Sequence, residues 1–164
     1  MKMQIALASS EVYYHGTKKK FSKFSEYRPA FFTKNLAYAQ EYGPLILAAK
    51  LNMHKVFDTY RDKRAVQIYN EYFLSSGLAR PEAKPIKLGH HVSMNDADEL
   101  WAYLAVPEYP APHYDGLIVS EQGVSSLHEK FKGADLAYVP MSVDQIQLVK
   151  IWKCKSRWRQ VTLQ

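Results

Sequence analysis

A histidine, a glycine and a threonine stand together at positions 15–17, directly behind Tyr13 and Tyr14. A histidine at the end of a short strand, a glycine whose backbone can approach a ligand and a hydroxyl form a compact hydrogen-bonding edge. A turn with a surface histidine is the plainer reading of the same residues. Phe31 and Tyr42 lie eleven residues apart. One would end a strand and the other a helix that folds back, so their rings could face each other across a flat slot. Such a slot suits a planar heteroaromatic ring; the plainer reading places both rings in the core.

Other chemistries find less support. Six histidines invite a metal site. His90 and His91, however, are neighbours and point to opposite faces of a strand. His54, His113 and His128 have no ligand spacing to partners. CxxC, HExxH, GxGxxG and GxxxxGK[ST] do not occur, so a zinc site, a Rossmann site and a P-loop are unsupported. Cys154 lies in a basic stretch without the signature of a Cys/His nucleophile. No metal is expected.

The 164 residues, 47% hydrophobic and 23% charged, suit one globular domain, 1–164. One cysteine fits a reducing, cytoplasmic setting. Met1–Ala8 is too short for a signal peptide, and no apolar run reaches the roughly 20 residues of a membrane span. A net charge of +6 and a pI of 9.3 favour polyanionic partners: nucleic acid, dinucleotides or an acidic protein.

The elements that must position these residues follow from local patterns. Ile5–Ala8 is a weak strand, and Glu11–His15 a strand that Gly16 breaks. Lys18–Arg28 reads as a loop or short helix with Phe21 and Phe24 tucked inward. Ala30–Thr33 is a buried strand. Asn35 caps a helix that carries Leu36, Ala39 and Tyr42 on one face and stops at Gly43-Pro44. Leu45–Leu51 is the clearest central strand, and Val56–Asp58 closes that segment.

Lys63–Ser76 is a helix with Val66, Tyr69 and Phe73 inward and Gly77 as its C-cap, and Leu78–Leu88 a loop. A second helix runs from Asn95 or Asp96 to Val106, with Leu100, Trp101 and Leu104 inward. Pro107, Pro110 and Pro112 stiffen an exposed crossing. Tyr114–Val119, Leu136–Met141 and Ile146–Trp152 are strands. About six strands with two or three flanking helices make an α+β domain with a mixed or antiparallel split sheet.

Tyr14-His15-Gly16-Thr17, then Phe31-Phe32-Thr33, then Ala39-Gln40-Glu41-Tyr42, resembles the NAD-binding signature of the ADP-ribosyltransferase superfamily, of the His-Tyr-Glu type shared by diphtheria toxin and the poly-ADP-ribose polymerases. The resemblance continues through Leu45–Asp58, Tyr114–Val119, Tyr138-Val139 and Asp144-Gln145-Ile146, covering about 12–149. It is closest to the small ADP-ribosyltransferase domains of phage and bacterial polyvalent proteins.

The resemblance implies a single compact ADP-ribosyltransferase-like domain with NAD as substrate. His15 would hydrogen-bond the adenosine-side ribose and Gly16 would offer its backbone to the nicotinamide amide. Thr17 would order the turn, and Phe31 and Tyr42 would sandwich nicotinamide. Phe31 stands where the family usually has Tyr. Ala39 stands where polymerase-type members have Ser, so amide recognition leans on backbone. The family's catalytic Glu falls eight residues before Gln145, where this chain has Ala137. Asp135 is offset by two and is a poor substitute.

The implied activity is mono-ADP-ribosyl transfer to a macromolecule by a bacterial or phage toxin or defence effector, nearly inactive as written. Ala137 is either a natural loss or a replacement of a parent's glutamate; the intact surroundings favour replacement. The alternatives are an inactive NAD- or RNA-binding pseudoenzyme and an NAD glycohydrolase. A toxin of this kind implies a neutralising antitoxin or immunity protein.

The acceptor side is read from charge. Lys18, Lys19, Lys20 and Lys23 with Phe21 and Phe24, and the stretch 150–159 with Lys153, Arg157 and two tryptophans, interleave cations with aromatics. That pattern suits phosphate contacts with base stacking and slightly favours RNA over protein. Lys19, Lys20, Phe21, Lys153 and Arg157 are the expected acceptor-binding residues; a solvated strand end is the alternative.

Overall fold

The run LILAAKL at 45–51 is apolar except at Lys50 and mostly buried, as suits a strand covered on both sides. In the computed structural model, which describes residues 11–19, 23–106, 113–121, 136–154 and 158–161, it lies at the centre of one of two sheets. The elements in chain order are β1 (Tyr13–Thr17), α1 (Leu36–Gln40), β2 (Leu45–Leu51), β3 (Val56–Phe57), α2 (Lys63–Gln67), β4 (Val92–Ser93), α3 (Ala97–Leu104), β5 (Gly116–Ser120), β6 (Leu136–Pro140), β7 (Ile146–Cys154) and β8 (Trp158–Val161).

The first sheet is antiparallel throughout, in the order β1-β2-β7-β8. The second is mixed. β6 pairs antiparallel along all of β5, while β3 and β4 pair parallel with opposite ends of its other edge. The class is therefore α+β, with eight strands among the described residues against the six expected. β7 continues to Cys154 and is joined by β8, so much of the basic stretch after residue 149 belongs to the sheet. Its mixed charge and aromatics hide the alternation that marks a half-buried strand.

The segment expected as a strand at 30–33 makes only single bridges, and these join the two sheets. Thr33 exchanges both backbone bonds with Tyr14 of β1, and Phe32 does the same with Tyr138 of β6. Consecutive side chains alternate in direction. Phe32 packs with Tyr13, Ala49, Leu51 and Met53, while Phe31 packs against the second core around Phe57, Leu117 and Val139.

Asn35 caps α1 as expected: its Oδ1 accepts from Tyr38 N at 3.1 Å. The helix ends at Gln40, so Tyr42 sits in the turn beyond it. The expected helix at 63–76 is α-helical only to Gln67; residues Ile68–Phe73 form a π-helix, with Leu74 N bonded to Tyr69 O. Asn70 there bonds both backbone groups of Ile86, at 2.8 Å each, and so anchors the 78–88 loop.

α3 follows directly on a 3-10 turn at Met94–Asp96, where the Ser93 hydroxyl accepts from Asn95 N. Asp96 holds the N-cap position of α3 as expected but makes no side-chain cap bond, because its carboxylate is turned to Arg80. Tyr103 takes a fully buried place beside Leu100, whereas Trp101 and Leu104 are half-buried. Gln145 precedes β7 and staples the turns, donating to Asn52 O at 2.9 Å and Asp115 O at 2.6 Å. Asp115 in turn accepts from the backbone N–H groups of His54 and Lys55. The expected Ile5–Ala8 strand and 107–112 crossing lie outside the described residues.

Candidate functional site

Gly16 decides how closely α1 approaches β1. It lies inside the strand, opposite Ile46, and does not break it. A Cβ at this position would lie 1.9 Å from Ala39 O and 3.2 Å from Tyr42 Cβ. Any side chain would push the helix and its following turn off the strand. Gly43 makes a second close approach, where a Cβ would lie 2.3 Å from Thr17 O.

Hydrogen-bond directions alternate along an antiparallel strand. Tyr14 sends its N–H and C=O away from β2, to Thr33. Gly16, two residues on, therefore points its own N–H and C=O out of the same edge.

Between this edge, the 31–33 bridge, α1 and β6 lies a cavity of about 160 Å³. A dry cavity of about 150 Å³ is known to accept benzene, so the space suits one aromatic ring. His15, Gly16, Phe31, Tyr42 and Ala137 all line it. These are five of the six residues expected at a cofactor or catalytic position, and they come from four separate stretches of chain. Thr17 does not line the cavity; its Oγ1 accepts from Lys19 N at 3.3 Å and shapes the turn.

Phe31 closes one wall. Tyr42, in the turn after α1, closes another and is 39% exposed, so its ring is open to an incoming ligand. The sequence reading missed Tyr38 and Met94, which also line the space. Tyr38 sits edge-on to Tyr42, with centroids 5.5 Å apart and hydroxyl oxygens 3.0 Å apart. The i, i+4 spacing of the two tyrosines in a helical stretch was the available signal.

His15 Nδ1 lies 2.8 Å from Phe31 O. A carbonyl can only accept, so Nδ1 carries the proton and Nε2 is left as an acceptor. Burial pushes the His15 pKa below its ordinary value, the bond to Phe31 opposing this. The imidazole is therefore neutral at pH 7, able to accept from a ligand hydroxyl. Phe24 packs its edge on the ring at 5.3 Å, as its expected inward position requires.

Ala137 of β6 faces Val119 of β5 and is 3% exposed. Its methyl group stands in the cavity wall where the resemblance calls for a carboxylate. Glu121 was not anticipated. It follows β5 directly, is 3% exposed, and accepts a hydrogen bond from the Tyr42 hydroxyl. Burial drives the Tyr42 phenol up to about 12, so it remains a proton donor.

The acceptor residues divide. Lys19 and Lys153 are both exposed, and the register Thr17–Leu45–Lys153 brings them to one end of the first sheet, beyond Gly16. Lys20, Phe21 and Arg157 lie outside the described residues, as do His128 and Asp135. Among the described residues no three His, Cys, Asp or Glu gather as metal ligands, and no helix is long and apolar enough to cross a membrane. His91 lies 3.4 Å from Asp58 and stacks on Tyr60, away from the cavity lining. Comparison with family models, curated proteins and solved structures finds no match to the chain.

Proposed function

We propose that the cavity receives the nicotinamide ring of NAD and that the chain is a mono-ADP-ribosyltransferase of the His-Tyr-Glu type whose catalytic position is held by Ala137. The observation that carries this reading is the convergence of His15, Gly16, Phe31, Tyr42 and Ala137 on one ring-sized space. Phe31 and Tyr42 supply faces for stacking, Gly16 supplies backbone donor and acceptor for the amide, and neutral His15 accepts from a ribose hydroxyl.

Cleavage of the nicotinamide–ribose bond builds positive charge on the ribose, as in oxocarbenium-type glycosyl transfer. A carboxylate fixed beside that ribose stabilises the developing charge, and loss of one such group costs on the order of 10²–10³ in rate. Ala137 cannot supply it, so the chain binds NAD and turns it over very slowly. The exposed lysines beyond Gly16 are placed to meet a polyanionic acceptor, and RNA is the favoured class. A bacterial or phage toxin or defence effector held in check by an antitoxin is the setting this chemistry fits.

The test compares this chain with Ala137→Glu, each incubated with labelled NAD and separate pools of RNA and protein. Label on a macromolecule only with the restored glutamate supports the reading and names the acceptor class. Free ADP-ribose without labelled macromolecule makes the protein a glycohydrolase. No turnover by either chain removes the enzymatic reading.

A further inference from the structure

β3 and β4 pair with opposite ends of the same edge of β5. The chain therefore leaves that edge after Phe57 and rejoins it at Val92, and residues 58–91 close into a loop with a narrow neck. Three contacts fasten the neck. Gly89 N donates to Tyr60 O at 3.2 Å, the Thr59 hydroxyl donates to His90 O at 2.7 Å, and His91 lies 3.4 Å from Asp58. Stretches that are remote in sequence, 60–63 and 84–90, thereby meet at one surface.

That surface carries an aromatic ring with one face covered. The imidazole of His91 lies parallel to the Tyr60 ring, with centroids 4.8 Å apart and 13° between planes. Tyr60 is nevertheless 48% exposed, so its other face is in water. The stack and the neck contacts hold the ring in place, which lowers the ordering cost of any ligand that packs on it. Arg61 follows Tyr60 directly, and the turn in which His90 N bonds Lys87 O brings Lys87 to the same neck. Both side chains are exposed, as are Lys63 and Lys84 further along the two stretches. The carboxylates there are turned inward: Asp58 accepts from Tyr60 N, and Asp62 from Arg64 N and the Tyr114 hydroxyl.

An open aromatic face between cations is the chemistry that binds unpaired bases with their phosphates. We propose that Tyr60, backed by His91 and flanked by Arg61 and Lys87, is a docking platform for single-stranded RNA. A base stacks on the open face of Tyr60, and neighbouring phosphates meet the two cations. This rests on the reading of RNA as the polyanionic partner and deepens it with a contact surface on the second sheet, separate from Lys19 and Lys153 on the first. Met94, which lines the cavity, is three residues past His91 and so at most about 11 Å from it. RNA held on the platform is thus close to the cavity wall, and its binding needs no NAD.

The test is fluorescence anisotropy of the full chain, without NAD, with a labelled single-stranded RNA of about 12 nucleotides. Tyr60→Ala should weaken binding by about tenfold, and Tyr60→Phe, which keeps the ring, should restore it to within about twofold of the unaltered chain. Arg61→Gln with Lys87→Gln should lower the slope of log affinity against log salt by about 1.4, as expected for two phosphate contacts on a single strand. Polyglutamate, a polyanion without bases, should bind the unaltered chain and Tyr60→Ala alike. RNA binding that ignores Tyr60→Ala but falls with Lys19→Gln and Lys153→Gln would place the RNA on the first sheet; it would overturn the platform and leave RNA as the partner. No RNA binding by the folded, unaltered chain would overturn both, and the nicotinamide reading would still be decided by NAD titration.

Discussion

Asp96 and Glu121 are each 3% exposed, and each takes a tyrosine hydroxyl, Tyr69 for Asp96 and Tyr42 for Glu121. What their partners do differs. Asp96 is gripped by the guanidinium of Arg80, and Tyr69 is sealed in the core. Every group in that cluster is committed to holding the 78–96 segment against the π-helical turn. Tyr42 has one edge on Glu121 and a ring that lines an open cavity. A buried carboxylate held by an arginine and a core tyrosine reads as structure; one with a partner that reaches a ligand-sized space reads as part of a site.

Substitutions can break or sharpen this contrast. The largest loss of stability should come from Asp96→Ala, which leaves the buried Tyr69 hydroxyl without its acceptor and takes away the anchor of Arg80. Its thermal midpoint should fall further than that of any cavity substitution, while ring binding per folded molecule is retained. If Glu121→Gln lowers the midpoint as much as Asp96→Ala does, the two carboxylates are alike and the contrast fails.

Gly16→Ala comes next. Its methyl must displace Ala39 O from 1.9 Å, which should cost about 1–3 kcal/mol by denaturant unfolding and abolish ring binding. Tyr42→Leu should be milder, since it removes a half-exposed ring. The expected loss is about 0.5–1.5 kcal/mol of ligand affinity, read by titration, with a small change in unfolding midpoint.

The smallest effect concerns pH. His15 is depressed by burial below its ordinary 6.5, so below about that pH the unfolded chain binds a proton that the folded chain refuses. Stability from this residue is complete above pH 6.5 and declines as the pH falls toward the folded-state value. His15→Asn should flatten that part of the stability–pH curve, measured by denaturant midpoints between pH 7 and pH 5. An unchanged slope would mean that the imidazole is not kept neutral by its surroundings.

Much of this was legible in the chain, for identifiable reasons. Leu45–Leu51 announces itself because a strand buried on both faces is apolar along nearly its whole length, Lys50 being the one exception. Asn35 announces a helix start because it is a good N-cap. His15, Gly16, Phe31 and Tyr42 were picked by residue type and spacing and position 137 by the family resemblance, and all five line one cavity. Glu121 was not legible, because its significance comes from a contact across 79 residues. Nor was the necessity of Gly16: the letter suggested a turn, and only the approach of Ala39 explains why a strand carries glycine there. The π-helical turn at 68–73 was hidden for a similar reason, since Asn70 meets its partner sixteen residues on.

The central claim is that the cavity holds the nicotinamide end of NAD, and direct titration of NAD into the unaltered chain tests it most plainly. The account predicts saturable binding, displaced by N1-methylnicotinamide and lost in Gly16→Ala, without any need for a glutamate at 137. Absence of binding to the folded, unaltered chain, or binding that Gly16→Ala leaves intact, would contradict it.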